Sequence, residues 1–423
     1  MPKAPQKPTQ PTYKITSMAY GGYGVAKGGK VVFIPYTIEG EEVTADIVRE
    51  ERTISYAEGR TLVRASADRV YPACDHFGIH KCWGCQWQHI DYRAQTLIKF
   101  DVWLGQLYRY GNMTDKTLER IARPVIASPQ VWGYAHHATY KRTADGALGF
   151  LRQDGKSLET IDVCHIVHED VQRAYEALEL QDFADFSAVT FARGADGSIM
   201  LTLAMTSEDA PLLLTDLPYS VNVLLPDNEP MNLVGDTVVR YDVGGRVLRA
   251  TVGSFFRPNV AQIPQLIEVV LDMLALAGEE AVLELYGGVG TLSAFIAPRA
   301  GLLTVVESYP PAATDAEENL AEFDNVDIVE GSVENFLETL REDSARYDAV
   351  VIDAPPQGLS PAVIDGVHAL QPSRVVFIAN NPNAFWGGLF ALMKGGYKPE
   401  RLQPLDFAPH TSHVESVALL VQA

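Results

Sequence analysis

Toward the C-terminus the chain alternates short apolar runs with amphipathic stretches, regularly enough to be read as strands and helices in turn. Residues 281–285 (AVLEL) are a strand-length apolar run, the glycine-rich stretch 286–291 (YGGVGT) interrupts it, and residues 292–297 resume with helical composition. Further runs of buried-strand character follow at 302–306, 326–329, 347–353, 374–379 and 415–420. A strongly apolar helix is expected over 261–277, ahead of the first of these strands. Strands separated by helices specify a parallel, doubly wound α/β sheet, here with a late strand added at its edge. A glycine turn after a strand lets a ligand approach the backbone, and the crevice beyond the strands' carboxyl ends is the usual ligand site. Glu307 ends the next strand and is placed to accept hydrogen bonds from ribose hydroxyls. Asp353, Asn380 and Glu415 fall at strand ends or in adjoining loops, where such sheets keep their chemistry.

The first third has a different rhythm. Short β-type runs at 19–26, 30–35 and 41–48 are punctuated by glycines, the pattern of a small OB-like β-barrel. Barrels of that type carry single-stranded nucleic acid on exposed aromatic and basic side chains, a role open here to Tyr20, Tyr23 and Lys27. Between 134 and 250, strand-like pieces at 146–151 and 199–204 flank a helix expected over 169–180. The resulting division is a flexible tail over 1–12, a barrel over 13–68, a central α+β domain over 69–250, and a Rossmann-like domain over 251–423.

Composition changes this picture little, but charge does. With 423 residues, 47% hydrophobic and 21% charged, the chain is of ordinary globular make-up and large enough for two or three cores. It has no apolar run of the roughly 18 residues a membrane span needs, and its polar, proline-rich start is unlike a signal peptide, so a cytoplasmic protein is expected. A net charge of −20 argues against a polyanion as partner. Residues 1–150, however, carry 19 Lys and Arg against 14 Asp and Glu, net +5; taking these from 34 and 54 leaves 15 against 40 for the remainder, net −25. Any nucleic acid should therefore meet the N-terminal third first.

All four cysteines fall into one arrangement: Cys74, then Cys82-Trp83-Gly84-Cys85, then the distant Cys164. In a reducing compartment such spacing points to metal rather than disulfides. Four thiolates suit either a tetrahedral zinc or a [4Fe–4S] cluster, and the spacing does not choose between them.

These stretches together resemble the S-adenosylmethionine-dependent RNA uracil-C5 methyltransferases, of the type that acts on 23S ribosomal RNA and carries an N-terminal TRAM barrel. The resemblance covers nearly the whole length. It rests on the cysteine stretches 74–78 and 82–89, on Gly253-Ser254-Phe255-Phe256, on 283–290, on Asp353-Ala354-Pro355, and on His413-Val414-Glu415, in the family's order and approximate spacing. It implies a [4Fe–4S] cluster on Cys74, Cys82, Cys85 and Cys164. It also implies a cofactor pocket drawn from Arg257, Tyr286, Gly288, Gly290, Thr291, Glu307, Ser332 and Asp353. Arg257 stands where the family usually has glutamine, and Ser332 where it often has a polar or acidic residue. Asp353 would lie at the reacting base, and Glu415 would be the general base that removes the C5 proton. Ribosomal RNA is the expected partner, transfer RNA the second candidate, and the protein is expected to act as a monomer without a membrane.

One departure bears directly on chemistry. The family's nucleophile is a cysteine within Ser-Cys-Asn-Pro, and the corresponding run here is Ala379-Asn380-Asn381-Pro382, which puts Asn380 in the nucleophile's place. A thiolate adds at C6 of uracil to make C5 nucleophilic, and an amide, its nitrogen lone pair delocalised, cannot do so. Asn380 is then a residue that fixes the turn beside Pro382. The run Asp353-Ala354-Pro355-Pro356-Gln357 also lacks the arginine that usually follows the prolines, and Gln357 is not the aromatic an amino-methyltransferase would want. Two readings follow: an RNA methyltransferase acting on another atom or with another nucleophile, or a catalytically inactive relative that binds RNA or the ribosome.

Overall fold

In a computed structural model of the chain, residues 11–110, 113, 115–178, 185–208, 218–342 and 345–422 are described. Most of the expected tail, 1–10, and the end of the expected 169–180 helix lie outside them. The chain forms two compact units, one of residues 1–106 with 150–161 and 408–413, the other of 107–149 with 162–407 and 414–423.

In the first unit the glycine-punctuated runs close into a five-stranded barrel. Its order is Thr12–Ala19, Tyr23–Gly28, Lys30–Pro35, Ile54–Arg64, Glu42–Glu50, and the last pairs back on the first through Thr12 with Thr44 and Tyr13 with Val43. Alternate residues point inward, as the strand period demands, so Ile15, Ala26, Val32, Ile34, Val43, Ala45 and Ala57 fill the interior. The chain leaving the barrel is tied to it by fully buried Glu41, which accepts from Arg69 Nε and Nη2 (2.6 and 2.7 Å) and from the Ser66 amide.

The second unit holds two sheets. In one, strands run Pro230–Val234, Ser220–Leu224, Ile199–Met205, Phe186–Arg193, His137–Arg142, with a separate hairpin of Val238–Val243 and Arg246–Thr251. The other is the expected α/β sheet, in the order Val326–Glu330, Leu302–Glu307, Ala281–Leu285, Ala349–Asp353, Arg374–Ala379, Glu415–Gln422, Tyr397–Leu405. The first five strands are parallel, and Glu415–Gln422 runs antiparallel to both of its neighbours. Strands buried on both faces read as continuous apolar runs, which is why Ala349–Asp353 and Arg374–Ala379 carry no polar alternation.

Several expectations shift. The final run does not lie at the edge; Glu415–Gln422 inserts between Arg374–Ala379 and Tyr397–Leu405. The true edge strand contains Lys398, Pro399, Glu400, Arg401 and Pro404, residues that a paired interior strand tolerates poorly and an edge accepts. The helix expected over 292–297 is a single α turn, Ser293–Ile296, followed by a 3-10 turn, because Pro298 has no N–H to continue the ladder. The apolar 261–277 stretch is helical over Ile263–Leu274 and stops at Ala275, which takes a left-handed conformation (φ 48°). The helix expected from Glu169 is seen over Glu169–Glu176, capped by His168 Nδ1 accepting from the Asp170 amide. No helix among the described residues is long and apolar enough to cross a membrane.

Candidate active site

The strand Ala281–Leu285 ends in Tyr286, a non-glycine residue at φ 62°, and then turns. At Gly287 a Cβ would stand 2.2 Å from Val305 Cγ1, so only glycine fits against the neighbouring strand. Gly288 (φ 56°) faces open space, which leaves its backbone reachable by a ligand. The adjacent strand is in parallel register, Leu285 with Val306, and so brings Glu307 beside the turn. Glu307 accepts from the Gly288 amide (2.8 Å) and the Tyr309 amide (2.7 Å). Its carboxylate is thereby fixed in orientation while each oxygen keeps a lone pair to offer outward. One strand further, Glu307 pairs with Glu330, and Ser332 follows, its hydroxyl accepting from the Asn335 amide at the start of the helix Val333–Glu342. Burial, with the charge of Glu334, pushes the Tyr286 phenol up to about 12, so it is neutral and acts through its ring and hydroxyl. Tyr286, Gly288, Gly290, Thr291, Glu307 and Ser332 are thus carried at the carboxyl edge of three adjoining strands.

At the same edge a second group forms around an arginine. Asp353 ends its strand in register with Ile378, and Ala379 pairs with Ser416, next to Glu415. Arg257 reaches both acids: Nη2 donates to Asp353 Oδ1 and Oδ2 (2.8 Å each), and Nε and Nη2 donate to Glu415 Oε1 (2.9 and 2.5 Å). Arg257 and Glu415 are buried, at 9% and 5% exposure, and Asp353 is 20% exposed. Burial works against the guanidinium charge, but Asp353 and Glu415 outweigh it and hold Arg257 firmly protonated. For Glu415, burial raises the carboxyl above its ordinary range while Arg257 pulls the other way. The loop that delivers Arg257 is itself fixed. Fully buried Asp315 accepts from the Thr251 amide and hydroxyl (2.6 and 2.8 Å) and from Ser254 Oγ (3.2 Å), and His137 Nε2 meets the Phe256 carbonyl at 2.7 Å.

Residues 236–423 match a family model described as tRNA (Uracil-5-)-methyltransferase. Over nearly its full length the chain is 28% identical to an uncharacterised RNA methyltransferase of Halalkalibacterium halodurans, covering 96% of this chain and 95% of the relative. It is 29% identical to an uncharacterised RNA methyltransferase of Streptomyces avermitilis, covering 97% and 98%. In fold it is similar to the Pyrococcus abyssi tRNA (uracil-54, C5)-methyltransferase solved with S-adenosyl-L-homocysteine, with a TM-score of 0.75 at 22% identity, covering 97% of this chain and 100% of that one. The C-terminal region is a methyltransferase domain.

Within that domain the asparagine pair is not arranged as expected. Asn381, rather than Asn380, fixes the turn: its Oδ1 accepts from the Asn383 amide (2.9 Å), capping the helix Pro382–Lys394, and its Nδ2 donates to the Pro356 carbonyl (3.2 Å). An asparagine directly before a proline at the first helical position is the sequence signature of an N-cap, and it pointed to 381. Asn380 is exposed at the end of its strand and makes no side-chain hydrogen bond among the described residues. Extending the Ala379–Ser416 register by one step sets it opposite Glu415.

Sequence reasoning gave Glu284 no role, though a lone acid in an all-apolar strand was a visible signal. It is buried at 1% exposure and accepts from Ser293 Oγ (2.7 Å). Burial pushes its carboxyl up to about 8, Ser293 offsets part of that, Asp353 adds to it and Arg257 opposes it, so near neutrality Glu284 holds a proton beneath the methyltransferase domain's charged group.

No three His, Cys, Asp or Glu side chains among the described residues are placed to hold a metal ion, and none of the four cysteines is in a disulfide. Cys74, Cys82 and Cys85 lie in the first unit, while Cys164 belongs to the second. The 74–85 loop carries hydrogen bonds of its own, from the Cys82 amide to the His76 carbonyl (3.1 Å) and from the Cys74 amide to Gln88 Oε1 (3.2 Å). In the barrel Tyr20 packs edge-on against His413, Tyr23 meets Phe33, Tyr56 and Trp83 and lines a cavity together with Tyr56, and Lys27 is exposed.

Proposed function

We propose that this protein is an S-adenosylmethionine-dependent RNA methyltransferase related to the uracil-C5 enzymes but working without their covalent nucleophile. The observation that carries the reading is the pairing, at one sheet edge, of a Glu307-anchored glycine turn with the buried Arg257–Asp353–Glu415 group. The residues suit the cofactor: Glu307 would present lone pairs to the ribose hydroxyls, the open Gly288 backbone would admit the nucleoside, and Tyr286 would pack against it. When bound, S-adenosylmethionine supplies an electrophilic methyl group. The acceptor atom gives up a proton as it takes that methyl, and Glu415, once Arg257 yields its hydrogen bonds, is the group able to receive the proton. Asp353 orients the acceptor.

RNA is held by the first unit in this reading. A cavity of about 440 Å³ there is lined by Tyr23, Arg49, Tyr56, His80, Arg152 and neighbours, and the Arg49 guanidinium lies 3.9 Å over the Tyr56 ring. Stacked aromatic and guanidinium planes are the sequence-tolerant platform single strands use. Ribosomal RNA is the first candidate substrate and transfer RNA the second, with the protein acting as a cytoplasmic monomer. The four cysteines as ligands of a [4Fe–4S] cluster belong to the same reading, with a structural role and no step routed through it. Cys82 already accepts a backbone hydrogen bond from Gly84 (3.3 Å), as cluster thiolates do. Iron and sulfide analysis of anaerobically purified protein tests it, and a colourless protein with stoichiometric zinc removes the cluster.

A second reading, an inactive relative that binds RNA or ribosomes, is favoured by one specific observation: Arg257 donates two hydrogen bonds to Glu415 Oε1, which opposes its use as a base. Mass spectrometry of ribosomal and transfer RNA from cells with and without the protein separates the two. A methylated nucleoside that disappears with the gene supports the enzyme, and identical nucleoside profiles support the inactive relative.

A further inference from the structure

Outside the site already described, the second unit contains a cavity of about 260 Å³ whose lining includes neither the Glu307-anchored turn nor the Arg257 group. Its floor is one face of three adjacent strands. Thr139 pairs with Thr190 and Thr190 with Thr202, so three hydroxyls lie in a single row across the sheet. Thr139 and Thr190 are bonded to each other through their Oγ1 atoms (2.8 Å), and whichever donates leaves the other's proton to point away. The row continues to fully buried Asn222, in register with Thr202, whose amide is spent on the Asp236 carbonyl and on Asn232. The rest of the lining is mainly apolar, with Leu224, Val239, Tyr241 and Phe256 among its members and His137, Thr251 and Ser254 as polar exceptions, and no Lys, Arg, Asp or Glu lines the cavity.

We propose that this cavity binds one nucleobase of the RNA strand, a neighbour of the nucleotide being modified. The proposal rests on the RNA methyltransferase reading and deepens it. A wall without charge excludes a phosphate and selects a flat, neutral group with hydrogen-bonding edges. The hydroxyl row reads those edges, and the apolar wall takes the ring face. A volume just under the roughly 300 Å³ at which small-molecule pockets begin suits one base and excludes a longer segment. Location supports the assignment, because the same loop that closes the cavity with Ser254, Phe255 and Phe256 continues directly into Arg257. Phe255 is 61% exposed at the rim, and Arg257 Cζ lies 5.9 Å from its ring. A row of threonines alone is a common sheet-stabilising ladder; such a ladder does not require an open cavity above it.

The test uses the full chain with Thr190→Val and Thr202→Val, singly and together, substitutions that keep shape and remove hydroxyls. Affinity is measured by fluorescence anisotropy for short homopolymeric RNAs of the four bases, across a salt series, alongside melting temperature and calorimetric S-adenosylmethionine binding. The wild type is expected to prefer one base, and the double variant to lose about 10-fold in affinity for it together with the preference. Salt slope, melting temperature and cofactor affinity are expected to stay unchanged, since no phosphate contact is removed. If the wild type binds RNA but all three variants match it on every base, the cavity assignment is overturned while the RNA reading stands. If the wild type binds no RNA, both fall.

Discussion

Arg257 and Glu415, 158 positions apart in the chain, share two hydrogen bonds on one carboxylate oxygen, Nε at 2.9 Å and Nη2 at 2.5 Å. The same Nη2 also holds Asp353, so one buried cation keeps two acids side by side. Removing that cation should be far more costly than removing an exposed ion pair, because two carboxylates would be left facing each other away from water. Arg257→Met is expected to destabilise the fold by about 3–5 kcal/mol, and Glu415→Gln in the same chain to recover part of the loss. Thermal and urea unfolding check this. A cost below about 1 kcal/mol, the value of a surface pair, would mean the bridge is not formed in solution.

Glu284 predicts a pH dependence of stability with a definite sign. Its carboxyl is raised in the fold to about 8, so the folded protein keeps a proton that the unfolded chain releases. The associated stability is complete below the ordinary carboxylate value, near 4.5, and is lost as the pH rises through about 8. The slope in that window is at most about 1.4 kcal/mol per pH unit. Glu284→Gln, which preserves an acceptor for Ser293, should flatten the curve. Identical slopes for the wild type and the variant in urea melts across this range would remove Glu284 as the cause.

Particular residues show what was legible in the sequence and what was not. Local signals carried the strands, the barrel and the glycine turn, since apolar runs and turn residues act over a few positions. The neighbours of Asp353 and Glu415 were legible as strand ends, but their common partner was not, because the Arg257 contacts depend on where a remote loop is folded by Asp315. The sheet's order was misread at the end for a similar reason: the charged, proline-bearing Tyr397–Leu405 strand looks like loop until its neighbour is known. The turn-fixing role was given to Asn380 although the capping rule pointed to Asn381.

Glu307 offers the direct test of the cofactor pocket. Its alanine variant removes an acceptor from the ribose and also strands the Gly288 and Tyr309 amides that the carboxylate satisfies. S-adenosylmethionine affinity should fall by about 1–3 kcal/mol, roughly 5- to 150-fold. Calorimetry giving equal affinity for wild type and Glu307→Ala would place the cofactor elsewhere.

The last prediction concerns the position opposite Glu415. Asn380 offers an amide where covalent attack on uracil C6 would need a thiolate, and its side chain is exposed and makes no hydrogen bond among the described residues. Loss of a covalent nucleophile removes several powers of ten in rate, each about 1.4 kcal/mol of barrier, which a remaining base and binding site do not restore. The wild type is therefore expected to form no gel-stable adduct with RNA carrying 5-fluorouridine, which traps the enzyme when C6 is attacked. Asn380→Cys alone would place a thiol beside a carboxylate still held by Arg257, so adduct formation should be weak. Adding Arg257→Gln frees Glu415 and should strengthen it. An adduct from the wild type, mapped to Asn380 or any neighbour, would show that the chemistry survives by another nucleophile; no adduct from either variant, in protein that still binds cofactor and RNA, would show that more than these two positions separates this site from covalent catalysis.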